Sequence, residues 1–214
     1  MYNLPYTNKQ INIPYLLKIG NGKIYKIGKY LKDKNLPGVA LFLGDGTEEL
    51  VGAELRRGFG DNDINVVHSQ VVSDISIESI TQTAFQLPPA TDVVVGIGGG
   101  KALDFAKYSA HLLRLPFVSV PTSTSNDGFC SPTSSLTVGG RRKTVKSSIP
   151  FGVVIDLDVI RSCPPVFFYS GLGDMVSKIT ALADWKEAAN RKLERYSAVS
   201  YTHLRAHETR SNLV

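Results

Sequence analysis

Three consecutive glycines, Gly98, Gly99 and Gly100, lie between an apolar segment and a helix-like one, and Lys101 and Asp104 follow directly. Glycine permits positive φ and lets a ligand approach the backbone closely. The N–H groups of a first helical turn carry partial positive charge, which suits a diphosphate, and Lys101 can add charge. The spacing is neither the dinucleotide fingerprint G-x-G-x-x-G nor a Walker A loop. A tight turn without a ligand would also explain this stretch, and Asp104 could either cap the turn or bind a ligand hydroxyl.

A second polar loop, residues 121–135, follows one predicted helix and one predicted strand later and is dense in hydroxyl groups. Asp127 can accept a hydrogen bond from a sugar or substrate hydroxyl, or it can form an Asx-turn before Gly128. Two ligand-like loops at neighbouring strand ends favour a binding function over plain turns. The side chains that can donate to phosphate oxygens are those of Thr122, Ser123, Thr124 and Ser125.

Apolar runs alternate with helical patterns, which predicts an α/β fold with a mostly parallel sheet and helices on both faces. Ligands of such sheets bind at the carboxyl ends of the strands, where both polar loops lie. Thr47 is the predicted N-cap of the first helix and Gly58 its stop. Strands are predicted within residues 38–46, 64–69, 92–98, 116–121 and 152–158, a hairpin turning at Gly139-Gly140 within 136–146, and helices at 47–58, 76–86, 101–114 and 171–192.

Composition excludes several classes of protein. With 214 residues, of which 43% are hydrophobic and 20% charged, the chain can build a normal core. Its net charge of +5 is scattered, and the single run, Arg141 to Lys143, is too short to predict a nucleic-acid-binding face. We expect no membrane span and no secretion signal. Cys130 and Cys163 are then expected to be reduced thiols in a cytoplasmic protein.

Three ordered motifs resemble the iron-containing alcohol dehydrogenase superfamily, which includes glycerol dehydrogenase, sn-glycerol-1-phosphate dehydrogenase and, more distantly, dehydroquinate synthase. The motifs are GGGKALDFAK (98–107), VPTSTSNDGFCSP (120–132) and GLGDMVSK (171–178), and with the strand pattern they cover about residues 15–195. SNDGFCSP, followed by a Gly-Gly hairpin and GVVIDLDVI, is most similar to the glycerol-1-phosphate dehydrogenase branch. Glycerol dehydrogenases tend to have Ala-Pro where this chain has Gly128-Phe129.

The resemblance implies that residues 1–165 form a Rossmann-like, doubly wound, mostly parallel sheet that binds NAD or NADP. Residues 166–197, with the helix at 171–192, would be the start of an all-helical metal-binding and catalytic domain whose remainder the chain lacks. Asp45 would contact the adenosine ribose, although an ordinary turn aspartate is the alternative. The other implied cofactor contacts are Gly98, Gly99, Gly100, Lys101, Ala102, Leu103 and Asp104 at the diphosphate, Thr122, Ser123, Thr124 and Ser125 at the diphosphate and nicotinamide, and Ser131 on the nicotinamide side.

The resemblance also implies catalytic and substrate-binding roles for Asp127 and Asp174. Asp174 would bind a catalytic metal, Zn²⁺ in the nearest branch, with Fe²⁺ or Ni²⁺ possible; a helix N-terminal aspartate favoured by the macrodipole is the alternative. The implied reaction is metal-assisted hydride transfer between NAD(P) and sn-glycerol 1-phosphate, with dihydroxyacetone phosphate as the oxidised form. The alternatives are glycerol oxidation and a cyclase-lyase of the dehydroquinate synthase type. A full-length homo-oligomer acting in phospholipid metabolism is expected.

The family completes its metal site with two histidines beyond the aspartate, and His203 and His207 lie there at a plausible i, i+4 spacing. We reject this pair because residues 199–214, VSYTHLRAHETRSNLV, resemble the read-through translation of a transposase-type sequencing adapter. Residues 198–214 are therefore predicted to be a non-native tail, and the fragment is expected to be inactive. His68 and His111 precede the motif and are expected to be structural.

Overall fold

The computed structural model describes residues 13–193 and divides the chain into two compact units. The sheet unit contains the described part of Met1–Thr122 together with Gly128–Arg161. The helical unit contains Ser123–Asp127 together with the described part of Ser162–Val214. The predicted tail at 198–214, with His203 and His207, lies outside the described residues.

Strands and helices alternate through the sheet unit. The strands are β1 (Leu16–Gly20), β2 (Gly38–Leu43), β3 (Asn65–Val71), β4 (Val93–Gly98), β5 (Phe117–Pro121), β6 (Thr133–Val138), β7 (Arg141–Lys146) and β8 (Gly152–Asp156). The helices are α1 (Ile27–Lys32), α2 (Thr47–Gly60), α3 (Ile77–Gln86), α4 (Gly100–Leu113) and α5 (Leu157–Ser162), with a short 3-10 helix at Gly128–Cys130. The helical unit holds α6 (Pro165–Asn190).

Six strands form one parallel sheet in the order β1-β8-β5-β4-β2-β3. The chain passes from β2 outward to β3 and then returns to place β4 on the other side of β2. The direction of winding therefore reverses between β2 and β4. In open α/β sheets the carboxyl ends of two such strands border a crevice in which ligands bind.

Both faces of the central strands are covered, as the alternation of strands and helices predicts. Strands β2 and β4 are buried along their whole length, and successive side chains enter opposite layers. Leu41 belongs to the apolar cluster that includes residues of α1 and α2, whereas Phe42 belongs to the cluster that includes residues of α3 and α4. The prediction of a doubly wound parallel sheet is confirmed.

The five predicted parallel strands and the hairpin are present, with ends shifted by a few residues. The hairpin turns at Gly139 (φ 56°) and Gly140 (φ 74°), since a two-residue turn of this kind needs positive φ at both positions. The edge strand β1 and the short helix α1 were not predicted. Leu17 and Ile19 of β1 are 60% and 55% exposed, so this strand shows neither a buried run nor clean alternation.

The predicted limits of α2 are wrong at both ends. The N-cap is Gly46 rather than Thr47, which is the buried first residue of the helix. The helix continues through Gly58 to Gly60. Gly58 is needed for packing and not as a stop, because a Cβ there would collide with the carbonyl oxygen of Tyr25.

Helix α6 begins at Pro165, before the predicted start at Gly171. Proline is well suited to the first helical position because its missing N–H has no intrahelical partner there. Gly171 lies inside the helix, where a Cβ would collide with the carbonyl oxygen of Thr124. Among residues 13–193, no helix is both long and apolar enough to cross a membrane.

Candidate functional site

Two glycine turns meet where the winding of the sheet reverses. The amide nitrogen of Gly44, just after β2, donates to the carbonyl oxygen of Ile97 at 2.9 Å. Gly98, the last residue of β4, has φ +144°, and a Cβ there would lie 2.9 Å from the nitrogen of Gly44. These distances leave no space for a side chain at Gly98. The glycine ends β4 in a conformation that brings the two strand ends into backbone contact.

Gly99 has the opposite surroundings. It is exposed, its backbone is extended (φ −81°, ψ −176°), and a Cβ would meet no atom within 4 Å. Neither packing nor backbone conformation therefore requires glycine at this position. The open space borders the first turn of α4, so the bare backbone here is accessible to a ligand.

The first turn of α4 is suited to an anion. Its N-cap, Gly99, provides no side-chain cap, and the first N–H groups of a helix have no intrahelical acceptor. The first turn contains no acidic residue, and its Lys101 is exposed. Helix α2 starts nearby after Gly46, also without a side-chain cap, but Glu48 and Glu49 lie in its first turn. The macrodipole of α4 is thus the one that favours a bound phosphate group.

The remaining residues predicted to contact the cofactor differ in which of their atoms a ligand could reach. Asp45 is exposed in the turn after β2. Ala102 and Leu103 are 1% and 3% exposed, so only their backbone atoms could reach a ligand. The amide of Thr122 donates to the carbonyl oxygen of Gly98 at 3.2 Å, which places the start of the hydroxyl-rich loop beside the glycine turn.

The carboxylate of Asp104 contacts β6 and a lysine of its own helix. Its Oδ2 accepts from the amide of Ser135 at 3.1 Å, and its Oδ1 lies 3.4 Å from Nζ of Lys107. Burial raises the pKa of Asp104, and Lys107, the Ser135 amide and Arg142 offset part of that rise. Both carboxylate oxygens are thus engaged by α4 and β6.

Ser131, predicted on the nicotinamide side, belongs to the same network. Its hydroxyl lies 3.0 Å from the carbonyl oxygen of Thr133, 3.2 Å from that of Gly128, and 3.4 Å from Nζ of Lys107. Sequence reasoning assigned no role to Lys107. Its position in the sequence could have indicated one. Lys107 lies between Leu103 and Ala110 on the face of α4 that packs against the core, where a charged residue needs partners.

In the helical unit, one ammonium group bridges two predicted site residues. Nζ of Lys178 lies 2.9 Å from Oδ2 of Asp127 and 3.2 Å from Oδ2 of Asp174. Burial by itself would lower the pKa of Lys178, but its hydrogen bonds to the two carboxylates outweigh that effect and raise it. Sequence reasoning missed Lys178, although it ends the third motif. Only the folded chain shows that it joins Asp127 to Asp174.

The loop segment Ser123–Asp127 packs on α6 in this unit. The hydroxyl of Ser170 donates to the carbonyl oxygen of Ser125 at 3.3 Å, next to the close approach of Gly171 to Thr124. The hydroxyls of Ser123 and Ser125 are 3.3 Å apart. Of the four predicted hydroxyl donors, Thr122 therefore belongs to the sheet unit and the other three to the helical unit.

The described residues do not form a metal site by themselves. Across residues 13–193, no group of three histidine, cysteine, aspartate or glutamate side chains is arranged to hold a metal ion. Asp174, the predicted ligand, has one oxygen paired with Lys178. His68 lies in β3 against Phe42, and Nδ1 of His111 lies 2.9 Å from the hydroxyl of Ser148. Both histidines belong to the sheet unit, and the structural roles expected for them stay predictions.

Comparison with known proteins identifies relatives of this chain. Glycerol-1-phosphate dehydrogenase from Metallosphaera sedula, which uses NAD(P)+ by its name, is 36% identical over 190 residues, covering 87% of this chain and 53% of that protein. The enzyme of the same name from Methanothrix thermoacetophila is 32% identical over 190 residues, with the same coverage of 87% and 53%. The chain thus spans about half the length of the curated relatives it matches.

A solved structure shows the same fold. The crystal structure of glycerol dehydrogenase from Schizosaccharomyces pombe superposes with a TM-score of 0.70 at 27% identity, covering 78% of this chain and 43% of that one. The sequence model described as iron-containing alcohol dehydrogenase matches residues 18–164, which include the whole six-stranded sheet except the first two residues of β1. With its doubly wound sheet and paired glycine turns, the chain belongs to the iron-containing alcohol dehydrogenase family.

Proposed function

We propose that this chain carries the NAD(P)-binding part of a dehydrogenase that interconverts sn-glycerol 1-phosphate and dihydroxyacetone phosphate. The observation that carries the proposal is the contact between Gly98 and Gly44 beside the open backbone of Gly99. The start of α4, which has no side-chain cap, is therefore accessible at the point where the winding of the sheet reverses. The names of the relatives from M. sedula and M. thermoacetophila suggest the substrate.

The sheet unit would hold the cofactor mainly through its backbone. The N–H groups at the start of α4 would donate to the diphosphate, and Lys101 would add a positive charge. Asp45 would accept from a ribose hydroxyl. NAD(P), when bound, supplies the acceptor for the hydride of the alcohol carbon.

The helical unit would bind hydroxyl groups of the substrate. Asp127 and Asp174 offer carboxylate oxygens, and Lys178 holds these two side chains together through ion pairs. A site for Zn²⁺, or for Fe²⁺ or Ni²⁺, would take Asp174 as one ligand, and the metal would supply a Lewis acid for the substrate oxygen.

A titration of this chain with NADH, followed by nicotinamide fluorescence, tests the cofactor part of the proposal. We expect saturable binding at one site, and an absence of binding would contradict the proposed diphosphate site at Gly99 and the start of α4. We expect no turnover by this chain. Cytoplasmic location, homo-oligomeric assembly and reduced thiols at Cys130 and Cys163 stay predictions.

The substrate is tested with a chain extended to the length of its relatives. Formation of NADH with sn-glycerol 1-phosphate, but not with glycerol, would support the proposal. Activity with glycerol alone would favour a glycerol dehydrogenase, the second candidate, which the structural similarity to the S. pombe enzyme supports. Phosphate release without net NADH would indicate a lyase of the dehydroquinate synthase type.

A further inference from the structure

Helix α4 contains a buried charged residue for which binding of the diphosphate provides no role. Lys107 is 1% exposed. Its ammonium donates to the carbonyl oxygens of Thr133 at 2.7 Å and Gly128 at 2.8 Å. It also lies 3.4 Å from Oδ1 of Asp104 and 3.4 Å from the hydroxyl of Ser131.

Burying an ammonium group is costly unless hydrogen bonds replace its lost hydration. The two carbonyl bonds are short, whereas the carboxylate of Asp104 is farther away. Of the four contacts described above, those to the two backbone carbonyls are therefore the shortest. A residue of the same shape without the charge would leave the carbonyls of Gly128 and Thr133 without this donor.

These contacts define what Lys107 holds in place. Gly128 begins the 3-10 helix, and Thr133 begins β6. Asp104, one turn before Lys107, accepts from the amide of Ser135. One face of α4 thus holds the backbone of residues 128–135 at three points, two carbonyl oxygens and one amide. Ser131 lies between those points.

We propose that Lys107 and Asp104 are positioning residues that set the conformation of residues 128–135, and that Asp104 does not contact the cofactor directly. The functional consequence rests on the proposed NAD(P) site. Residues 128–135 carry Ser131, for which the family resemblance implies a contact on the nicotinamide side, whereas the proposed diphosphate site is the backbone around Gly99. The adenosine diphosphate half of the cofactor should then bind independently of Lys107, and the nicotinamide half should depend on it.

Hydrogen exchange of the ligand-free chain tests the positioning role without any cofactor. In Lys107→Met, amides of residues 128–135 should exchange at least about tenfold faster, while those of β4 keep their protection. Asp104→Asn, which keeps the shape and loses the charge, should accelerate exchange at Ser135 and provides the test if Lys107→Met does not fold. Unchanged exchange at 128–135 in a folded variant, or an equal acceleration throughout the sheet unit, would overturn the proposal.

Binding of NADH and of ADP-ribose then separates the two halves of the site. Lys107→Met should weaken NADH binding about tenfold and leave ADP-ribose binding within about twofold. Lys101→Met, the matched lysine variant, should weaken both ligands alike without changing exchange at 128–135. Equal losses of both ligands in Lys107→Met would overturn the proposal. A wild-type chain that binds neither ligand would contradict the cofactor site itself, and the exchange measurement would still decide the role of Lys107.

Discussion

Gly98 and Gly44 touch through their backbones, since a Cβ on Gly98 would lie 2.9 Å from the nitrogen and 3.0 Å from the Cα of Gly44. The contact joins the ends of β4 and β2 at the point where the winding of the sheet reverses. Next to it, the position of Gly99 is open and its backbone is extended. Two adjacent glycines thus serve different purposes, one for folding and the other, as we propose, for binding.

Gly98→Ala should destabilise the chain by about 2 kcal/mol or more, because the residue has positive φ and its side chain would enter occupied space. Urea unfolding measures this change in the free energy of unfolding. Gly99→Ala is the matched control and should unfold almost like the wild type. Equal stability of the two variants would show that the contact with Gly44 is not tight.

Gly99→Val should fold normally and weaken NADH binding by at least about tenfold. Valine accepts an extended backbone, and its side chain would fill the open space through which the diphosphate approaches. Fluorescence titration gives the affinity, and thermal unfolding confirms that the fold is retained. Undiminished affinity in a folded variant would remove Gly99 from the site.

Asp45→Asn should raise the affinity for NADPH relative to NADH by about fivefold. A carboxylate near the ribose favours a 2′-hydroxyl, and at contact distance in water it repels a 2′-phosphate by about 1 kcal/mol. Competitive titrations of the two cofactors measure the ratio, and Asp33→Asn, another exposed aspartate, serves as the control. An unchanged ratio of the two affinities would indicate that Asp45 is an ordinary turn aspartate.

The ion pair between Asp127 and Lys178 should contribute little to stability. The Asp127 side chain is 68% exposed, so solvent screens the charges, and a coupling energy below about 1 kcal/mol is expected. A double-mutant cycle with Asp127→Ala and Lys178→Met measures it by urea unfolding. A coupling of several kcal/mol would mean that the two groups are far better shielded from water than this geometry indicates.

Asp104 should make stability depend on pH in an identifiable way. Burial, partly offset by Lys107, raises the pKa of Asp104 in the folded chain above that in the unfolded chain. The folded state then binds more protons between the two pKa values, so this group lowers the free energy of unfolding as pH rises through that window. Compared with Asp104→Asn, the wild type should lose stability as pH rises from about 4 and level off above the folded pKa. If the wild type instead gained stability relative to Asp104→Asn as pH rises, the folded-state pKa of Asp104 would not be raised.

The sequence predicts individual elements well where the information is local. The apolar runs of β2 and β4 and the Gly139-Gly140 hairpin are visible because periodicity and turn chemistry are properties of short segments. Strand β1 was missed because its sequence, LLKIG, is short and neither uniformly apolar nor alternating. In the sequence, Gly58 and Gly171 look like helix ends, yet both lie inside helices. Glycine is needed at each position because a backbone carbonyl distant in sequence approaches it closely.

By itself, the sequence determined the α/β class, the doubly wound sheet, the family, and the glycine and hydroxyl-rich loops that follow β4 and β5. These follow from residue types and spacing along the chain. Only the tertiary structure decided that Gly98 lies against Gly44, that Lys107 and Asp104 hold residues 128–135, and that Lys178 joins Asp127 to Asp174. Most of these contacts link residues tens of positions apart, and which side chains meet depends on strand order and burial, which are set when the whole chain packs.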